Sequence, residues 1–175
     1  MTQRDDRHET DLTFLRRCVE LAGEAVEAGD EPFGSLLVDA AGEVRFEDRN
    51  RVQDGDETRH PELEVARWSA SHLTADERAA STVYTSGEHC PMCSAAHAWM
   101  GLGPIVYAAS SAQLVGWRTG WGLSASPVLP LAIHEVAPGV EVRGPFAELE
   151  DALLELHRHQ AERYSGSLPE SPPSR

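Results

Sequence analysis

Glu88-His89-Cys90-Pro91-Met92-Cys93 is the stretch on which the reading of this chain turns. Pro91 suits the first position of a helix, so Cys90 and Cys93 fall on one face of its opening turn. The partial positive charge of a helix N-terminus favours thiolate over thiol and hence metal binding. Earlier in the chain, His60-Pro61-Glu62 repeats the arrangement at a second expected helix start. There His60 can point back to a metal while Glu62 projects from the first turn into the same pocket. One histidine and two cysteines make an open zinc site, with a fourth position left for water and a carboxylate beside it to move that water's protons. Glu64, two residues on, reads as lying on the solvated face.

Two other readings of the cysteines remain open at this level. A redox pair would fit a Cys-x-x-Cys after the first strand of a thioredoxin-like pattern, whereas here the motif follows the third strand. A purely structural zinc site would need a fourth protein ligand. With Cys18 the one cysteine left over, that ligand would be a histidine such as His89 or His97. Cys18 itself lies near an apolar helix face and reads as a buried small residue.

The composition narrows the partners. The chain has 175 residues, 41% hydrophobic and 25% charged, with a net charge of −14. That suits one soluble globular domain. No basic stripe is present to grip phosphates, so long nucleic acid is not expected and a small, weakly polar substrate is. Met1 to Thr10 does not read as a secretory signal, no apolar run is long enough to span a bilayer, and three cysteines make no disulfide framework. A cytoplasmic protein is expected.

Residues 1–9 read as a loose arm and 163–175, rich in proline and serine, as a disordered tail; the domain runs over 10–162. A helix is expected from Thr10 or Asp11 as N-cap, with Leu12, Leu15, Val19, Ala22 and Val26 on its apolar face and Gly29 ending it. Ser35–Val38 and Glu43–Glu47 read as an antiparallel pair, and the segment from Asp48 to Arg59 as a loop. Then come a helix from Pro61, a strand at Thr82–Thr85, a helix from Pro91 and a strand at Ile105–Ala108. The order is that of an α/β sandwich with a partly parallel sheet. Both halves of the metal motif fall beside strand ends, where open α/β sheets hold ligands. Ser110–Pro130 shows no periodicity and reads as a long loop, its Trp117 and Trp121 forming either a lid over a flat ring or packing for the loop. Ile133–Val142 suggests a last strand or hairpin. Phe146, Leu149, Leu153 and Leu156 mark a C-terminal amphipathic helix.

His-x-Glu followed by Pro and Cys-x-x-Cys is the signature of zinc deaminases. At these residues the chain resembles the cytidine/deoxycytidylate deaminase-like superfamily, in particular bacterial guanine deaminases, with tRNA adenosine deaminases and fungal-type cytosine deaminases as relatives. The resemblance runs from about Glu31 to about Ala109. Pro32–Val38 is similar to the family's first strand, Asn50-Arg51-Val52 to the segment whose asparagine hydrogen-bonds the base, and Tyr84-Thr85-Ser86 and Ala95–Trp99 flank the cysteines in the family's pattern. The resemblance implies a three-layer α/β/α sandwich around a mixed five-stranded sheet. It implies one Zn2+ per chain on His60, Cys90 and Cys93, with Glu62 shuttling protons as hydroxide attacks the carbon bearing an exocyclic amine and ammonia leaves. It also implies a homodimer and an aminated heterocycle as substrate, guanine-type first, with cytosine or a nucleoside as alternatives. Substrate contacts are expected from Asn50 and Phe33, from backbone groups around Ser86, Glu88 and His89 near the leaving amine, and from Trp99. An inactive binding protein on this fold would have no need of Glu62. Two departures stand out: Pro61 replaces the usual alanine, and His89 replaces the usual proline before the first cysteine. His89 is expected either to tune the site or to face outward from a loop.

Overall fold

The computed structural model describes residues 3–165. Five strands form one mixed sheet: β1 (Gly34–Val38), β2 (Val44–Arg49), β3 (Thr82–Gly87), β4 (Ile105–Ala109) and β5 (Val142–Arg143). Their order is β2-β1-β3-β4-β5. β1 runs antiparallel to both β2 and β3, while β3, β4 and β5 are parallel. Seven helices surround the sheet: α1 (Gln3–Ala28), α2 (Pro61–His72), α3 (Ala75–Ala80), α4 (Pro91–Met100), α5 (Ser111–Gly120), α6 (Ile133–Val136) and α7 (Glu150–Ser165).

The period-2 alternation of strand side chains explains the layers. Leu36, Val38, Tyr84 and Val106 point to one face and join Leu12, Leu15 and Cys18 of α1 and Leu153 of α7. Their neighbours Leu37 and Val83 point to the other, against Val65, Ala66 and Leu73 at α2 and Leu102 after α4. Two buried layers on one sheet make the three-layer α/β/α sandwich. Gly34 lets α1 approach, since a Cβ there would meet Cys18 O at 2.6 Å and the Leu21 side chain closer still.

Several boundaries differ from expectation. Residues 3–9 are not a loose arm but the first turns of α1. Asp5 and Asp6 suit the positive helix end, and Arg7 and His8 tie it to Glu141 and Glu148 at 3.0 and 2.8 Å. Thr10 and Asp11 are consequently interior to the helix. Asp11 is buried, accepting hydrogen bonds from Tyr84 Oη and the Arg143 guanidinium. Ser110–Pro130 is in large part helical, because Ser110 and Gln113 form a reciprocal capping box that starts α5. Residues 133–142 give the short α6 and the two-residue β5 rather than a hairpin, and 163–165 continue α7. The rest of the expected C-terminal tail, 166–175, lies outside the described residues.

Candidate active site

His60 and Cys90 are the N-cap residues of α2 and α4, each in extended conformation and each followed by proline at the first helical position. The two helix starts face one another at the C-terminal end of β3. Cys90 Sγ and Cys93 Sγ each lie 3.6 Å from His60 Nδ1, and the three ligand atoms fall within 4.8 Å of one another. A tetrahedral zinc, with Zn–N of about 2.0 Å and Zn–S of about 2.3 Å, sets N and S about 3.6 Å apart. The donor set therefore fits zinc in both chemistry and spacing.

The protonation of the cluster points the same way. The Cys93 thiol donates to Cys90 and, against burial and with help from His60, draws the Cys90 thiol down to about 4. That same bond, together with burial, pushes Cys93 up. Burial works to lower His60, but its hydrogen bond to Cys90 and the charge of Glu62 outweigh it and raise the imidazole to about 9. Without metal the group thus stores protons that a divalent cation displaces on binding. No other histidine, cysteine or carboxylate among the described residues completes a four-ligand set. His97 Nε2 is engaged with Gly103 O at 2.8 Å, and Cys18 is in the α1 core. The open, three-ligand reading holds over the structural one.

Glu62 is 5% exposed on the first turn of α2. Its Oε1 takes hydrogen bonds from Ser35 Oγ at 3.0 Å and Thr85 Oγ1 at 2.9 Å, two residues paired across β1 and β3. Its Oε2 is left toward the cluster, 3.8 Å from Cys93 Sγ. Burial raises the carboxyl's pKa, partly opposed by His60 and the Thr85 hydroxyl. Glu64, one turn position away, instead pairs with Arg67 at 2.6 Å on the outer side.

Asn50 is fully buried. Its backbone N–H donates to Phe33 O at 3.0 Å, its carbonyl accepts from Arg49 Nη1 at 2.9 Å, and its Nδ2 is a sealed donor with no partner among the described residues. Arg49 is in turn held by the buried Asp30 at 2.8 Å, which also accepts from Gln53 N. Phe33 lies on Gly87, where an added Cβ would stand 2.8 Å from its ring. His89 is 1% exposed, with its ring edge-on to His97 and neither nitrogen partnered among the described residues. It does not face outward, and burial holds it well below its ordinary pKa as a neutral imidazole.

Three of the residues named for substrate contact have their side chains placed elsewhere. The Glu88 carboxylate turns away and accepts from Ser111 N at 2.8 Å and Ile133 N at 3.0 Å, joining the starts of α5 and α6. The Ser86 hydroxyl accepts from Gly34 N at 3.1 Å on the sheet face opposite Thr85. Trp99 stands 84% exposed on α4, six residues beyond Cys93 and near the far end of the helix. Trp117 and Trp121 are core residues, so the packing reading of their segment stands. The residues that pattern reasoning passed over are Ser35 and Thr85, whose signal was a polar residue at matching positions of two otherwise apolar strands.

The fold and this site define a zinc-dependent hydrolytic deaminase of cyclic amidines. Residues 8–109 match the cytidine and deoxycytidylate deaminase zinc-binding region, and the chain belongs to that family. It is 32% identical over 152 residues to the "probable cytosine deaminase" of Schizosaccharomyces pombe, covering 83% of this chain and 90% of that protein. It is 37% identical over 98 residues to the guanine deaminase of Bacillus subtilis, covering 55% of this chain and 63% of that one. Among solved structures, that of a mutant of NE0047 in complex with 8-azaguanine superimposes with a TM-score of 0.66 at 25% identity, over 85% of this chain and 82% of that one. None of the helices among the described residues is long and apolar enough to cross a membrane.

Proposed function

We propose that this protein hydrolyses the exocyclic amine of a small aminated heterocycle, guanine-type first, releasing ammonia and leaving a carbonyl in its place. The observation that carries the reading is the posture of Glu62, with one oxygen pinned by two hydroxyls and the other directed at the metal cluster. Zinc held by His60, Cys90 and Cys93 supplies a Lewis acid that brings the pKa of a bound water to about 7. Glu62 Oε2 takes one proton from the attacking water and gives it to the ring nitrogen, then takes the second from the added hydroxyl and gives it to the departing amine, so that the carbonyl forms as ammonia leaves. Burial raises this carboxyl above its ordinary pKa, which favours its holding a proton between the two transfers. The unpartnered Asn50 Nδ2 donates to an acceptor on the ring edge, since a buried donor left unpaired would cost about 1–3 kcal/mol.

The guanine-type choice is supported by the Bacillus relative and by the 8-azaguanine held by the NE0047 structure. Cytosine is the second reading, favoured by the yeast relative that matches over 90% of its length. A homodimer fits the exposed Trp99 and Leu129, at 84% and 73%, and sedimentation of the Trp99→Glu protein as a monomer would support it. The deciding experiment is ammonia release by zinc-loaded protein from guanine, cytosine, adenine, their nucleosides and aminotriazines, with Glu62→Ala as the blank. Release from one compound, lost at least a thousandfold in Glu62→Ala with zinc retained, is the expected result. Equal release by both proteins sinks the proposal.

A further inference from the structure

His157, on α7 and far from the motif in sequence, is 6% exposed. A buried imidazole ordinarily satisfies at least one nitrogen. His157 makes no hydrogen bond among the described residues. Its nitrogens are not among the fully enclosed, unpartnered side-chain atoms that include those of His89. Its flanks are aromatic: the Phe33 ring lies edge-on at 5.2 Å and Trp117 at 5.8 Å. Phe33 in turn rests on Gly87, three residues before Cys90, and its carbonyl holds the backbone of Asn50. A row of Gly87, Phe33 and His157 therefore leads outward from the metal cluster, with two buried, unpartnered polar groups, Asn50 and His157, next to Phe33. One turn further along α7, Gln160 and Ala161 line a cavity of about 470 Å³ together with Glu31, Val52, Gln53 and Arg118.

We propose that His157 is a specificity-determining residue that hydrogen-bonds the edge of the substrate farthest from its amine-bearing carbon. Phe33 supplies the apolar surface for the flat ring. A neutral imidazole offers one N–H and one lone pair, and so matches the N–H/N edge of the five-membered ring of a bicyclic base. Cytosine held with its amine at the same point is one ring shorter and leaves the imidazole out of reach. The group stays neutral at working pH because burial and the nearby Arg118 pull it down to about 3. A site built to hydrogen-bond a group rejects the analogue that lacks it more strongly than an apolar pocket can.

The inference rests on the deaminase reading above and is tested apart from it. Zinc-loaded wild type, His157→Phe and His157→Gln are titrated calorimetrically with guanine and with cytosine, and turnover is measured alongside. His157→Phe keeps an aromatic between Phe33 and Trp117 while removing both polar atoms. The expected result is a loss of about tenfold or more in guanine affinity, carried in KM more than in kcat, with cytosine binding unmoved and His157→Gln restoring much of the loss. Guanine binding by His157→Phe equal to wild type overturns this inference and leaves the deaminase reading in place. So does an equal loss for both bases, which would mark a structural role. Should His157→Phe fail to fold, His157→Gln decides: guanine bound no better than cytosine overturns the inference. Wild type that carries zinc but neither binds nor deaminates either base overturns the substrate reading and this inference together.

Discussion

Thr85→Val tests whether the hydroxyl pair above Glu62 serves catalysis. The change is nearly isosteric and removes one donor from a carboxylate that is 5% exposed. Ser35 and Thr85 have one proton each but four acceptor contacts between them: Glu62 Oε1 twice, Thr85 Oγ1 once and Gly87 O once. With Glu62 ionised, both protons turn to Oε1; once it has taken up a proton, Thr85 can turn to Gly87 O and Ser35 to Thr85. The pair thus follows the charge on Glu62 through a reaction cycle while holding Oε2 toward the cluster. A hydrogen bond to a charged group is worth about 1.5–3 kcal/mol. Expressed in the transition state, that is a fall of about ten- to a hundredfold in kcat, with KM little changed. Zinc content should be unaltered, because neither hydroxyl touches His60, Cys90 or Cys93. Ser35→Ala should be weaker than the double variant but not additive with Thr85→Val, since the two share one acceptor. Steady-state ammonia release and metal analysis on the four proteins give the answer. A Thr85→Val enzyme with wild-type kcat would refute the reasoning, as would a defect confined to KM.

Two further outcomes follow from buried polar groups away from the reacting atoms. Glu88→Ala removes one carboxylate from two helix N-termini and should cost about 2–4 kcal/mol of stability, read as a lower urea midpoint with zinc still bound; Glu88→Gln should recover only part, as it keeps a single acceptor oxygen. Acid should destabilise the fold through His157, whose pKa is depressed to about 3 in the folded state against about 6.5 unfolded. The unfolded chain binds the extra proton, so this stability is intact above the unfolded value and is lost as pH falls from there toward the folded one. Between pH 7 and pH 5 the loss is about 2 kcal/mol. His97 is shifted in the same direction by burial and adds to it. Urea unfolding at the two pH values should show the fall, and His157→Phe should reduce it by about 2 kcal/mol while the shares of His97 and His89 remain; an equal fall in that variant would contradict the assignment.

Local chemistry was legible in the chain and long-range chemistry was not. His60 and Cys90 could be read as metal ligands because a proline after each fixes a helix start, and a helix start fixes where a side chain at the cap points. The partly parallel α/β sheet followed from strands and helices alternating through residues 82–109. α5 and α3 were written just as locally, in Ser110-x-x-Gln113 and Thr74-x-x-Glu77, but α5 is thinned of apolar residues and interrupted by Gly116, so periodicity passed it by. The arm at 3–9 failed for the opposite reason: its polar residues gain their helix from Glu141 and Glu148, partners that no local pattern reveals.

The same limit explains the hexapeptide with which the chain was first read. Its cysteines were interpretable because their partner set is defined by metal chemistry. Glu88 was not, because the two N–H groups it caps belong to helices 23 and 45 residues away, and only the folded chain brings them to one carboxylate. Adjacent residues therefore do unrelated work: Gly87 makes room for Phe33, Glu88 joins α5 to α6, His89 packs against His97, and Cys90 caps α4 beside the metal position. A substitution at Glu88 that slackens α5 also loosens Trp117, which flanks His157. Hence Glu88→Ala, though it touches no reacting atom, should raise KM as well as lower stability, whereas a capping change at α3, such as Thr74→Ala, should lower stability by about 1 kcal/mol and leave KM alone. A Glu88→Ala enzyme that is destabilised yet keeps wild-type KM would separate the clasp from the substrate pocket and confine Glu88 to holding the fold.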